Sequence, residues 1–193
     1  MKTAIVLCVE KGVLESQAKL LINSINKFNY STDYSVLVFS PRKDFLPSSK
    51  TIAFFKQHHI IHLTEMINIQ YLDYPIANKV LACDFVETNY PEFKSIIFLD
   101  TDTLFLNPIE KNLLESTGKL FLRPVDNKGP GSTGKSDVQD LFWKKVYLLF
   151  NLDLPQPHLK TTVRPHLIRP YFNAGFIWAN GLPGFFKQWK KDF

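Results

Sequence analysis

The chain has 193 residues, enough for one domain that buries a proper core. Its 45% hydrophobic and 21% charged residues are ordinary globular values. The net charge of +5 comes from Lys and Arg scattered among acids rather than lined along one helix. That pattern argues against nucleic acid as a partner and suits an anionic small substrate or peripheral association with an anionic membrane surface.

Thr3 to Val9 is a continuous β-rich run and reads as a buried strand. Only this short run separates Lys2 from Glu10-Lys11, too little for a signal peptide or a bilayer span. The two cysteines, Cys8 in this run and Cys83 in a helical pattern, have neither metal nor redox spacing. They read as buried free thiols of a reducing compartment, so a cytoplasmic location is expected. Leu14, Ala18, Leu21, Ile22 and Ile25 recur at helical spacing up to Phe28, and Tyr34 to Phe39 is a second strand closed by Ser40-Pro41. Pro47 opens a helix through Phe54-Phe55, and Ile60 to Leu63 is a third strand. Pro75 sits at a first helical position for a helix running to Tyr90-Pro91, and Ser95 to Leu99 is the next strand. Alternation of strand and helix predicts an α/β fold with a mostly parallel central sheet flanked by helices. Beyond Pro108 come a strand at Lys119 to Val125, a Gly-rich loop at Asp126 to Ser136, and a helix at Val138 to Phe150. An irregular, proline-rich crossing follows at Leu154 to Pro170, then an apolar segment at Tyr171 to Trp178. Lys187, Lys190 and Lys191 read as a solvated helix face.

Asp100 and Asp102 end the most hydrophobic run of the chain, flanking Thr101. In an extended backbone residues two apart share a face, so the two carboxylates point one way and Thr101 points back toward the protein. Parallel sheets bind ligands at the carboxyl ends of their strands. Two carboxylates there suit a hard divalent cation that keeps coordination sites open for phosphate oxygens.

The run Ile96-Ile97-Phe98-Leu99-Asp100-Thr101-Asp102-Thr103-Leu104, followed by Asn107-Pro108-Ile109, resembles nucleotide-diphosphosugar glycosyltransferases of the GT-A fold. The likeness is to the family of glycogenin and the lipopolysaccharide galactosyltransferases. Asn78-Lys79 one helix earlier and Tyr171-Phe172-Asn173-Ala174-Gly175-Phe176 later on carry it as well. It implies a single domain over 1–193 in which Asp100 and Asp102 bind Mn²⁺ or Mg²⁺. It also implies that Lys79, Thr101, Asp126, Asn173 and Gly175 join them around the donor. The implied donor is a nucleotide sugar, a UDP-sugar first of all, and the acceptor a glycan, a lipid-linked species or a protein. The family takes a third metal ligand, a histidine, from a segment beyond the Phe-Asn-x-Gly strand, and no such segment occurs before Phe193. A truncated chain, an incomplete site or a substitute ligand are the alternatives.

Three other readings are open. A non-catalytic nucleotide-sugar binder would share the fold without the chemistry. Asp100 and Asp102 also resemble the first motif of haloacid-dehalogenase-type phosphatases, although that motif ordinarily lies on the first strand. Gly129 to Ser136 satisfies the G-x-x-x-x-G-K-[ST] pattern of a phosphate cradle. It lacks the strand immediately before it, and reads as a chance match in a loop that closes over the donor.

Overall fold

The computed structural model describes residues 2–28 and 34–193. In chain order, strand β1 (Thr3–Cys8) leads into helix α1 (Val13–Phe28), β2 (Tyr34–Phe39), α2 (Ser49–Gln57) and β3 (Ile61–Leu63). Then come α3 (Ala77–Asn89), β4 (Ser95–Leu99), α4 (Lys111–Glu115), β5 (Lys119–Pro124) and α5 (Asp140–Leu149). The chain ends with the two-residue strands β6 (Leu159–Lys160) and β7 (Leu167–Ile168), then β8 (Phe172–Asn180) and α6 (Phe185–Asp192). It groups into two compact units, residues 1–121 with 175–193, and residues 122–174.

The first unit is built on a sheet of strand order β3-β2-β1-β4-β8-β5. β1 pairs parallel with both β2 and β4, and β2 pairs parallel with β3. β4 meets β8 antiparallel, with Ser95 opposite Asn180 and Leu99 opposite Phe176. Because side chains alternate along a strand, each central strand feeds two apolar layers. Ile5, Leu7, Val36, Val38, Ile97 and Leu99 meet Ala18, Leu21, Ile22 and Ile25 of α1 and Phe55 of α2. On the opposite alternation Val6, Phe39 and Phe98 are also fully buried, and Phe39 sets its ring edge-on to Phe85 of α3 at 5.6 Å. Trp178 of β8 donates its indole N–H to Ser95 Oγ at 2.7 Å and stacks on Phe121, which fixes the β4–β8 register with a large side chain. α4 is only five residues long, and the buried Asn180 amide completes its carboxyl end by donating to the carbonyls of Leu113, Leu114 and Ser116.

The second unit relies on polar contacts. Asp140, at the first position of α5, accepts hydrogen bonds from Ser132 Oγ at 2.6 Å and Arg169 Nε at 2.7 Å, and all three residues are buried. Arg169 donates its backbone N–H to Ser132 and its guanidinium to the Pro155 carbonyl. Within the β6–β7 turn Thr161 donates to Arg164 and accepts the His166 N–H. The segment expected to cross irregularly therefore contains this small hairpin.

Candidate active site

The parallel strands β1 and β4 point their carboxyl ends into one cleft of about 280 Å³. Leu14 and Gln17 of α1 wall it on one side, with Pro75, Ile76 and Asn78 at the start of α3 on the other. Glu10, Lys79, Asp100 and Asp102 supply its charge. Neighbouring parallel strands bring their ends together, which is why sequence-distant polar residues meet here.

Asp100 follows the last residue of β4, and its backbone N–H bonds the Gly175 carbonyl of β8 at 2.8 Å. The ladder stops there. Thr103 returns both its N–H and its hydroxyl to the Asp100 carbonyl, so Asp100 to Thr103 forms a turn. The pair therefore sits in a turn just past β4 rather than on extended backbone, and both carboxylates nonetheless line the cleft. Thr101 does point inward, is 5% exposed, and donates to Gln17 Oε1 at 2.9 Å. Asp102 is exposed, and among the described residues no hydrogen bond or ion pair engages its carboxylate.

Lys79 sits on the first turn of α3 and places Nζ 2.8 and 2.9 Å from the two Asp100 oxygens. The ammonium also lies 5.2 Å from the Phe98 ring centroid, and only 14% of the lysine side chain is exposed, against 39% for Asp100. A half-buried ion pair thus faces the cleft beside an unengaged carboxylate.

Two further polar groups shape the floor, and the sequence reading passed over their role. Glu10, just past β1, is gripped by Arg42, just past β2, through Nε at 2.8 Å and Nη2 at 2.5 Å. Asn78 donates to the same Glu10 at 3.0 Å, Asn68 donates to Asn78, and Arg42 also reaches the Leu72 carbonyl. Glu10 is 4% exposed and Arg42 7%. The pair binds the loop before α3 to the sheet edge, so Glu10 shapes the cleft while its carboxylate is already satisfied. Opposite charges directly after two adjacent parallel strands were the available signal.

Cys8 lines the same cleft. It is half-buried rather than fully buried as expected, while Cys83 is buried, and both thiols are free. Burial, with the Glu10 charge second, pushes the Cys8 thiol far above its ordinary range, so it is no thiolate nucleophile at neutral pH.

Lys79, Asp100, Thr101, Asp102 and Gly175 belong to the first unit, Asp126 and Asn173 to the second. Asp126 accepts from Arg123 and from Thr162 Oγ1 at 2.6 Å, while its backbone carbonyl receives the Val163 and Arg164 N–H groups. It closes its own loop. Asn173 is half-buried near the start of β8. His158 and His166 each set Nδ1 against a nearby backbone carbonyl, of Gln156 and Arg164, and His62 pairs with Ser40. Among the described residues no three His, Cys, Asp or Glu side chains converge as a metal-binding group.

The loop matching the phosphate-cradle pattern is filled by its own acids. Asp137 accepts the backbone N–H groups of Gln139 and Thr133, which hold it well below the usual carboxylate range, and Ser132 Oγ takes the Gly134 N–H. The Gly131, Thr133 and Gly134 amides, which a phosphate cradle would use, are thus already engaged within the loop. Gly131 is buried where a Cβ would stand 2.8 Å from the Lys128 carbonyl, so no larger residue fits there without a shift.

Comparison with solved structures finds WbbM, titled a bifunctional glycosyltransferase in its apo form, at TM-score 0.61 and 15% identity over 97% of this chain and 33% of that one. LgtC, in the form of an active-site mutant, is similar at TM-score 0.49 and 14% identity, covering 97% of this chain and 59% of that one. TarS of S. aureus follows at TM-score 0.42 and 15% identity, covering 70% and 23%. The chain thus spans about a third of WbbM and under two thirds of LgtC. No curated protein matches it in sequence. The fold is that of the GT-A glycosyltransferases, as the sequence resemblance implied. Residues 5–192 match the Rhodobacterales glycosyltransferase domain, and the chain belongs to that family.

Proposed function

We propose that the protein transfers a sugar from a nucleotide-diphosphosugar donor, a UDP-sugar in the first instance, to a glycan, lipid-linked or protein acceptor with the help of Mn²⁺ or Mg²⁺. The observation that carries this reading is the cleft at the ends of β1 and β4, where an unengaged Asp102 stands beside the Lys79–Asp100 pair. Two carboxylates without a third protein ligand suit a hard cation that takes its remaining oxygens from substrate phosphates and water. Asp100 and Asp102 are the residues that would hold it. When bound, such a cation neutralises charge on the departing nucleoside diphosphate.

Lys79 contributes a second positive centre from the protein itself, held in place by α3 and the Phe98 ring. Glu10, locked by Arg42, keeps the floor rigid, and Leu14 and Ile76 give the cleft apolar lining against which a base can rest. Asn173 and Gly175, on the strand beside β4, and Asp126 are proposed for the sugar side. Haloacid-dehalogenase chemistry is disfavoured because the acids follow the fourth strand of the chain and Lys79 covers both oxygens of the would-be nucleophile.

One observation favours a second reading, a binder without turnover: Lys79 already occupies Asp100. Calorimetric titration with UDP and GDP, with Mn²⁺ or with EDTA, tests the metal-dependent reading. Affinity is expected to be about tenfold or more higher with the metal, and the Asp102→Ala variant to lose that gain. Equal affinity in EDTA would overturn metal dependence. Metal-dependent binding without release of sugar or nucleotide from any UDP-sugar would leave the binder.

A further inference from the structure

The helix α5 is apolar on both faces, and only one of them is covered. At 100° per residue, Trp143, Val146 and Tyr147 share the inner side with Asp140, and the indole donates to the Pro130 carbonyl at 2.7 Å. On the other side Leu141, Phe142, Lys145, Leu148 and Leu149 occupy an arc of about 120°. Leu141 is 63% exposed, Phe142 53%, Leu148 76% and Leu149 79%, and Phe150 and Leu152 prolong the patch beyond the helix. A helix hydrophobic all round is ordinarily buried. An exposed contiguous apolar stripe of this kind marks an interaction surface.

We propose that this stripe docks on the surface of an anionic lipid bilayer, with α5 lying in the plane of the headgroups. Charge selects the occupant. No Asp or Glu occurs from Leu141 to Leu152, while Lys145 sits in the middle of the stripe and Lys144 on its flank. The unit that carries the helix, residues 122–174, has eight Lys or Arg against four Asp. All four aspartates except Asp153 are engaged by cations within the unit, whereas Lys135, Lys145, Lys160 and Arg164 enter no ion pair among the described residues. A second copy laid on the same stripe would oppose lysine to lysine in an apolar contact, which is repulsive. Anionic headgroups satisfy these cations while the lysine stems lie along the apolar surface and the leucines enter the acyl boundary. With ten residues the helix is far too short to cross, and no helix among the described residues is long and apolar enough to do so. This assignment is independent of the transferase reading, since the stripe shares no residue with the cleft.

The test is flotation of the full chain with vesicles of phosphatidylcholine alone or mixed with phosphatidylglycerol, without nucleotide or metal. Binding is expected only to the anionic vesicles and to weaken with salt. The double variant Leu148→Gln/Leu149→Gln should bind about tenfold or more weakly, and Lys145→Glu about fivefold or more. Because these side chains are exposed, both variants should keep the wild-type melting temperature and circular dichroism, which separates lost docking from lost folding. Failure to bind anionic vesicles would overturn the proposal. So would equal binding to neutral ones, or a wild-type dimer in sedimentation that the double variant converts to monomer.

Discussion

Arg42 and Glu10 hold each other in a two-pronged contact with almost no water around them, and each is costly to leave alone. Removing only the cation, as in Arg42→Met, strands a buried carboxylate and should cost roughly 3–5 kcal/mol in urea denaturation. Adding Glu10→Gln to that variant removes the stranded charge and should restore part of the loss. Strictly additive losses would show that the pair is not the source of the effect. The sequence offered both residues but not the partnership, because nothing local to either strand end says which charges face inward. Asp100 and Asp102 were legible for the opposite reason: an acid directly after Ile-Ile-Phe-Leu marks the end of a buried strand. Their turn was not, since Thr103 closes it through bonds to the Asp100 carbonyl that no hydrophobic pattern encodes.

At the scale of elements, the carboxylate of Glu15 joins two helices. From the first turn of α1 it accepts the Gly12 N–H at 3.0 Å, and it accepts the N–H and hydroxyl of Ser48, which precedes α2, and the Thr51 hydroxyl inside it. Burial alone would raise its pKa, but these hydrogen bonds outweigh burial and bring it from 4.5 to about 2. A folded pKa below the unfolded one gives stability that is fully present above about 4.5 and disappears as pH falls toward 2. Melting temperatures of wild type and Glu15→Gln should therefore differ near neutral pH and converge across that window. A gap that stays constant down to the acid end would sink this account. The elements themselves were mostly legible. β1, β2 and β4 are continuous apolar runs between turn residues, so their limits fell within a residue of expectation. α4 escaped notice because five residues completed by a distant asparagine carry no periodicity of their own. The antiparallel direction of β8 was hidden too, since an apolar strand reads alike in either sense.

Across the whole molecule the two compact units are held by different chemistry. Residues 1–121 with 175–193 bury aliphatic and aromatic side chains between sheet and helices, whereas residues 122–174 centre on Ser132, Asp140 and Arg169. The guanidinium of Arg169, then the Ser132 hydroxyl, keeps the Asp140 carboxyl below its ordinary range. Asp140→Asn should accordingly raise amide hydrogen exchange within residues 122–174 and leave β1 and β4 protected as before. An equal rise in both units would mean that they unfold as one and that this polar centre is not local. The α/β class and the GT-A fold were readable from strand-helix alternation and the family resemblance. The polar organisation of the second unit was not, because its partners lie far apart in sequence and its stretch of prolines and glycines has no period.

The bond between Lys79 and Asp100 has a consequence for how the cleft fills. Together they form a unit of zero net charge, with both carboxylate oxygens turned toward one ammonium. A cation drawn to Asp100 releases an ammonium that then seeks an anion, and an anion drawn to Lys79 releases a carboxylate that then seeks a cation. Either guest admitted alone breaks this charge pair, while the two admitted together exchange one neutral arrangement for another. Under the function proposed here, cation and diphosphate therefore lend each other affinity by equal amounts.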